Sequence, residues 1–290
     1  MNQLDVLALG TCNIDFLMNV PRFAVADDEV DTEKLNVTLG GSAANFALKT
    51  SDLGLKTGIM ARIGKDNFGN YIRSNFKEKN INTERLITID EKTGMAFIAV
   101  DQVGERSIYT YMGANSKFEL LKPDINLIKN SEILHLTGMY IEVVEEASKH
   151  ANTLSFNPGA LLASFGMKAM EDVLSRTDIL FLNEKEVGLL TGENCPSGAK
   201  LLVEAGVKMV VVTLGKAGSK LFTMDHEIHQ PSNMVKPVDT TGAGDSFAAG
   251  FINGFLRNRN LPNCLKDGNN SAFDCLTKFG ASDTDLFKLK

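Results

Sequence analysis

This chain of 290 residues has no apolar run long and clean enough to span a bilayer. Its longest uncharged stretch, Ala151 to Met167, is interrupted by two asparagines, a proline and two glycines. A basic leader is missing too: "MNQLDVLALG" carries Asp5 and reads as a first strand, so no signal peptide is expected. Cysteine is sparse. Cys12, Cys195, Cys264 and Cys275 are scattered and form no CxxC pair, which points to reduced thiols in a cytoplasmic protein. Positive charge is not in excess, and a formal net charge of -6 argues against nucleic acid or a membrane surface as partner. Internal repeats and low-complexity linkers are absent. What is present, 43% hydrophobic and 23% charged residues, is the composition of a soluble globular protein. The length suits one large domain, or a large domain with a small appendage.

Strand-like and helix-like segments alternate along the chain. "DVLALG", "TGIMARIG", "EILHLTG", "TLSFNPG", "DILFLNE" and "KMVVVTLG" are short and almost continuously apolar, as strands buried on both faces are. Helical patterns lie between several of them, at 42–53, 66–79, 142–152, 161–175 and 198–205. This order predicts an α/β fold with a mainly parallel sheet covered by helices on both sides. Residues 23–39 and 93–111 break the alternation. The second, "TGMAFIAVDQVGERSIYTY", places a "DQVGE" turn between alternating apolar segments. Both are expected to be strands of a small antiparallel unit, a lid inserted into a single domain spanning 1–290.

The familiar phosphate-binding motifs are missing. In "TTGAGDSFAAG" the third glycine falls at Gly250, too late for a dinucleotide fingerprint, and Lys216 in "TLGKAG" lacks the glycine and hydroxyl of a Walker loop. Yet "VDTTGAGDSFAAGF" (238–251) still sets glycines at a helix start, where free N–H groups and a partial positive charge suit an anion. Phe247, Phe251 and Phe255 recur at helical spacing after it. Asp245 beside that seat would hinder a plain anion binder, so it calls for a separate role. A second glycine site, "TLGGSAANFALKTSDLG" (38–54), pairs Gly40 and Gly41 with Asn45 on a first helical turn. Paired glycines permit close approach of a small ligand, and Asn45 offers both donor and acceptor. Asp15 in "GTCNIDFL" is expected just beyond the first strand, where open α/β sheets bind ligands and a carboxylate can accept from neighbouring hydroxyls.

In combination and in order, these stretches resemble the two signatures of the ribokinase family, the carbohydrate kinases also called the PfkB family. "RIGKDNFG" (62–69), "GERSIYTYMGAN" (104–115), "FLNEKE" (181–186) and "TLGKAG" (213–218) fall in the family's order, so the resemblance covers nearly the whole chain. It implies a ribokinase-like three-layer sandwich with a mainly parallel central sheet and a small antiparallel β lid. It also implies transfer of the γ-phosphoryl group of ATP to a hydroxymethyl group of a sugar, nucleoside or similar compound. On that resemblance Asp245 is the base, and the N–H groups of Gly242, Ala243 and Gly244 stabilise the transferring phosphoryl group. Asp15, Gly40, Gly41 and Asn45 match the acceptor site. Asn183 and Glu186 match the family's Asn-x-x-Glu, which organises Mg2+ through water. Thr213, Gly215 and Gly218 match the nucleotide loop, and Asn269 falls near the adenine. Asp239 resembles the monovalent-cation (K+) site of some relatives, with loop capping as the other reading. Two lids packed together would cover their apolar faces, which implies a homodimer.

Ser42 and Ala43 stand where ribose-specific members usually have lysine and glycine ("GGKGAN"). Nucleosides, fructose-like sugars and ketodeoxy sugar acids therefore stay open as substrates. A nucleoside acceptor would need stacking partners for its base, with Phe97, Tyr109 and Tyr111 as candidates. A sugar sensor without catalysis is the distant alternative. His226 and His229 are expected in an exposed hairpin with no metal.

Overall fold

The computed structural model describes residues 3–232 and 240–277. The apolar runs become strands of one nine-stranded sheet, ordered β13-β12-β11-β10-β9-β8-β1-β4-β5. These are β1 (Leu4–Gly10), β4 (Thr57–Gly64), β5 (Asn82–Ile89), β8 (Ser131–Thr137), β9 (Thr153–Asn157), β10 (Ile179–Asn183), β11 (Met209–Thr213), β12 (Ser219–Phe222) and β13 (Glu227–Gln230). From β11 to β5 every neighbouring pair is parallel, and the hairpin β12–β13 closes one edge antiparallel. The continuous apolar character of the central strands follows from burial on both faces. Leu7, Leu9, Leu134 and Leu136 belong to one core, while Val6, Ala8 and Ile133 belong to the other. The helices Ser42–Asp52, Asn67–Glu78, Ala243–Leu256 and Leu261–Leu276 cover the second face.

The helix expected over 161–175 is three short helices, Gly159–Ala163, Gly166–Ala169 and Glu171–Leu174. Gly166, at φ +78, separates the first two. The helices Lys122–Lys129 and Leu261–Leu276 and strand β5 are additions that the sequence pattern did not reveal. Asparagine and glycine within "LPNCLKDGNNSAFDCL" dilute the helical signal of the longer one.

A second sheet of four strands, ordered β3-β2-β6-β7, rises beside the carboxyl ends of the large one. Its strands are β2 (Asn13–Asn19), β3 (Lys34–Gly40), β6 (Gly94–Val100) and β7 (Arg106–Tyr111). This lid differs from expectation in its membership. Strand β2 lies outside both expected segments, and residues 20–33 form no strand. Only Thr11 and Cys12 separate β2 from β1, so the sequence reads as one apolar run passing into a loop. The central pair β2–β6 is parallel and the two flanking pairs are antiparallel. Both central strands leave the large domain from the same edge, and side-chain hydrogen bonds moor them there. Asn115 accepts from the Cys12 N–H at 3.1 Å and donates to the Cys12 and Met112 carbonyls at 3.2 and 3.0 Å. Asp66, at the start of the helix Asn67–Glu78, accepts from the Thr93 N–H at 2.8 Å and the Thr93 hydroxyl at 2.6 Å.

Candidate active site

Strands β1 and β8 are neighbours at the point where the strand order reverses, which is where open α/β sheets place ligands. Gly10 and Thr137, the last residues of both, are in register. The lid stands beside this crevice and borders an open cavity of about 310 Å³. Asp15, Gly41, Asn45, Gly242 and Asp245 all line it, although they come from three separate stretches of chain.

Asp15 is not in a loop after the first strand. It is the third residue of β2, within the lid itself, and it is buried. Its carboxylate lies against Gly40, where an added Cβ would come within 2.0 Å of Oδ2. The glycine is thus required by the carboxylate beside it. Gly41 has a positive φ of 91° and begins the helix Ser42–Asp52. There an added Cβ would approach the Thr11 carbonyl to 2.6 Å. Together the pair turns the end of β3 sharply into the helix that carries Asn45.

Asn45 donates from Nδ2 to Oδ2 of Asp245 at 3.0 Å, a bond that spans 200 residues of sequence. Its Oδ1 is buried with no hydrogen-bond partner among the described residues, an acceptor open to a ligand hydroxyl. Asp245 sits in the first turn of the helix Ala243–Leu256 and is 8% exposed. Burial raises its carboxyl from an ordinary 3.8 to about 7; the Asn45 bond opposes the rise and the charge of Glu186 adds to it. Gly242 adopts the left-handed conformation before the helix, and no side chain caps the first turn. Space beside Gly244 is open, with nothing within 4 Å of where a Cβ would stand. Gly242 and Asp245 of this turn line the cavity, and the Ala243 N–H donates to the Thr240 carbonyl at 3.4 Å.

Asn183, Thr213, Gly215 and Gly218 gather beyond this cavity, at the carboxyl ends of β10 and β11, where Asn183 and Thr213 are in register. Asn183 and Glu186 form a reciprocal cap on the helix Glu184–Thr191, each side chain accepting from the other's N–H at 2.9 Å. Burial raises the Glu186 carboxyl, against the opposing bonds from Asn183 and the charge of Lys185. Thr213 donates to the Leu182 carbonyl at 3.4 Å. Gly215 and Gly218 have φ of +55 and +95 in the turn to β12. Asn269 donates to the Gln230 and Pro231 carbonyls at 3.1 and 3.4 Å, bracing the end of β13 close to Gly218. Asp239 lies outside the described residues. His226 and His229 are exposed on the β12–β13 hairpin, and no metal-binding cluster occurs among the described residues.

Several lining residues were not singled out from the sequence: Thr11, Asn13, Arg106, Thr110 and Gly138. Thr11 and Asn13 flank Asp15 in "GTCNID", which is the one local signal that pointed to them. Thr110 could have been found by pairing, because Ala96 opposes it across β6–β7 and Asp15 opposes Ala96 across β2–β6. Side chains directly opposed on a sheet share a face. The same rule corrects the aromatic candidates. Phe97 opposes Phe16 and Tyr109, so Phe97, Tyr109 and Tyr111 occupy the lid face away from Asp15. Phe97 stacks on Phe16 at 5.1 Å instead of facing the cavity.

Comparison with known proteins agrees with this architecture. The family model described as "pfkB family carbohydrate kinase" matches residues 3–286. The chain is 31% identical to an uncharacterized sugar kinase of Archaeoglobus fulgidus, covering 80% of this chain and 96% of that one. It is 30% identical to the ribokinase of Staphylococcus aureus, covering 95% and 94%. It is 31% identical to a nucleoside kinase of Methanothermobacter thermautotrophicus, covering 90% and 85%. Among solved structures, the ribokinase of Thermotoga maritima superimposes with a TM-score of 0.86 at 29% identity, covering 96% of this chain and 94% of that one.

Proposed function

The chain belongs to the pfkB family of carbohydrate kinases, and we propose how its residues divide the work of an ATP-dependent phosphotransfer. Asp245 takes the proton from a hydroxymethyl group of the acceptor. The freed oxygen forms a bond to the γ-phosphorus of ATP, the bond from that phosphorus to the bridging oxygen breaks, and ADP leaves. The N–H groups of Gly242, Ala243 and Gly244 stabilise the charge on the phosphoryl group in transit. Asp15, Asn45 and the backbone of Gly40 and Gly41 hold the acceptor's other hydroxyls. The observation that carries this reading is Asp245 itself, buried in the cavity, held by Asn45, and raised to about 7. A base with that affinity for protons can accept one and release it near neutral pH.

Thr213, Gly215, Gly218 and Asn269 form the nucleotide side. The Glu186 charge acts on Asp245, and a pair of carboxylates is an oxygen donor set that suits a hard cation such as Mg2+. Asn183 and Glu186 would hold it through water, and the ion would neutralise charge on the ATP phosphates. The monovalent-cation reading of Asp239 stays with a residue outside the described ones. Lid closure over the acceptor would exclude competing water. The lid face away from Asp15 exposes Phe97, Tyr109 and Tyr111 at 38%, 72% and 46%, which supports pairing with a second lid in a homodimer. All described cysteines are unbridged, which supports the reducing cytoplasm.

An assay coupled to ADP formation, run across neutral sugars, sugar acids, sugar phosphates and nucleosides, tests the assignment. Acceptor-dependent ADP release is the expected result. Release that ignores every acceptor would refute the transfer.

A further inference from the structure

Directly opposed residues order the cavity side of the lid into rows. Asp15, Ala96 and Thr110 form one row, Leu17, Ile98 and Ile108 the next, and Asn19, Val100 and Arg106 the outermost. Arg106 and Thr110 are four residues apart on β7, so their backbones are about 13 Å apart at the usual strand rise. Both nevertheless line the same cavity as Asp245. The cavity therefore has two chemically different ends. At the inner end stand two carboxylates and Asn45, groups that bind hydroxyls. At the outer end stands a guanidinium, the only cation among the described lining residues.

No described carboxylate pairs with Arg106. Four of the other arginines hold carboxylates: Arg62 and Arg85 hold Asp124, Arg22 holds Asp28, and Arg259 holds Asp267. A neutral sugar gives an arginine at this place little to bind. A carboxylate or phosphate can accept two parallel N–H bonds from it.

Resting on the kinase reading above, we propose that the acceptor carries an anionic group remote from the hydroxyl that is phosphorylated, and that Arg106 is the specificity-determining residue that binds it. The group is a carboxylate or a phosphate monoester, and the inner end of the cavity takes the polyol portion.

The test uses the full chain with saturating ATP. Three acceptors are compared by kcat/KM: a neutral pentose, the same pentose with an anomeric phosphate, and a six-carbon keto sugar acid. One of the two anionic compounds should exceed the neutral one, and which one does so identifies the anion. In Arg106→Gln that preference should fall by about 10- to 100-fold, the scale for a lost charge-assisted hydrogen bond, chiefly through KM. Arg106→Lys should recover part of it. The preference in the parent should weaken as salt is raised. Calorimetric titration of the anionic compounds without nucleotide separates the two readings. Arg106-dependent binding with no turnover of any acceptor would refute phosphotransfer and leave the anion site standing. A neutral acceptor preferred by the parent, or a preference that Arg106→Gln leaves unaltered, would overturn the anion site and leave the kinase reading in place.

Discussion

The acceptor half proposed for the site and the proposed nucleotide half are built by different means. On the acceptor side, Asp245 is held by an asparagine 200 residues away, and Asp15 is seated against a glycine of another lid strand. On the nucleotide side, Asn183 and Glu186 cap one helix, and Gly215 and Gly218 shape one turn. The first half exists only when distant segments have packed. The second takes its helix cap and its turn from contacts a few residues apart, with Thr213 and Asn269 bracing neighbouring strand ends. Catalytic groups that must be dry and exactly spaced need the first kind of support, whereas phosphates can be met by backbone N–H groups at solvent-facing ends.

The largest effect should come from the residue that joins the halves. Asp245→Asn keeps an oxygen for Asn45 to donate to but removes the base. Turnover should fall by at least ~10²-fold in a coupled assay while ATP affinity, measured by titration, moves little. Near-normal turnover would reduce Asp245 to a structural acid. Gly40→Ala should follow. Its Cβ would come within 2.0 Å of Asp15 Oδ2, so the carboxylate must move. A loss of about 10²-fold in acceptor kcat/KM, with nucleotide affinity intact, is expected from such displacement. If both affinities fell together, the separation of the two halves would be wrong.

Glu186→Gln tests the other side with a smaller change. Glutamine can still close the cap on the Asn183 N–H, so the variant removes charge and keeps the helix start. The Mg2+ concentration for half-maximal rate should rise by about 10-fold, the equivalent of 1.4 kcal/mol. An unaltered Mg2+ dependence would confine Glu186 to its capping role. The same variant should move the acid limb of the pH–rate profile to lower pH, because the Glu186 charge helps raise the Asp245 carboxyl. In the parent, the rate should climb as pH rises through about 7, where Asp245 ionises.

Stability should move the other way. Asp245 goes from an ordinary 3.8 to about 7 on folding, so between these values the folded chain holds a proton that the unfolded chain has lost. That contribution is complete below the lower value and is lost as pH rises through the upper one. Asp245→Asn should therefore match the parent near the lower limit and become more stable above the upper one, by at most about 4 kcal/mol. Urea unfolding at pH 5 and pH 8 reads the difference. A stability gap that does not grow with pH would mean the carboxyl is not strained by its burial.

Much of the large sheet was legible in the chain because its strands are apolar on both faces and separated by helical patterns. The lid was less legible. Its first strand follows β1 after only Thr11 and Cys12, and no turn signal announces a new sheet. Phe97, Tyr109 and Tyr111 had the chemistry for a nucleobase, but chemistry does not say which face a residue occupies. Strand pairing turns them away from Asp15 and turns Thr110 and Arg106 toward the cavity. Asn269 was matched to the nucleotide by its place in a motif; its amide donates to the Gln230 and Pro231 carbonyls.

By itself, the sequence determined the parallel α/β plan, the family and the residue types of the catalytic turn. Those follow from hydrophobic period, glycine spacing and local helix starts, all of which act over a few residues. Only the tertiary structure decided that Asp15 belongs to the lid, that Asn45 holds Asp245, and that a guanidinium from β7 lines the same cavity. Each of these depends on register between strands or packing between distant segments. A shift of one residue in register would exchange the two faces of the lid, and no local property of the chain reveals which face looks inward.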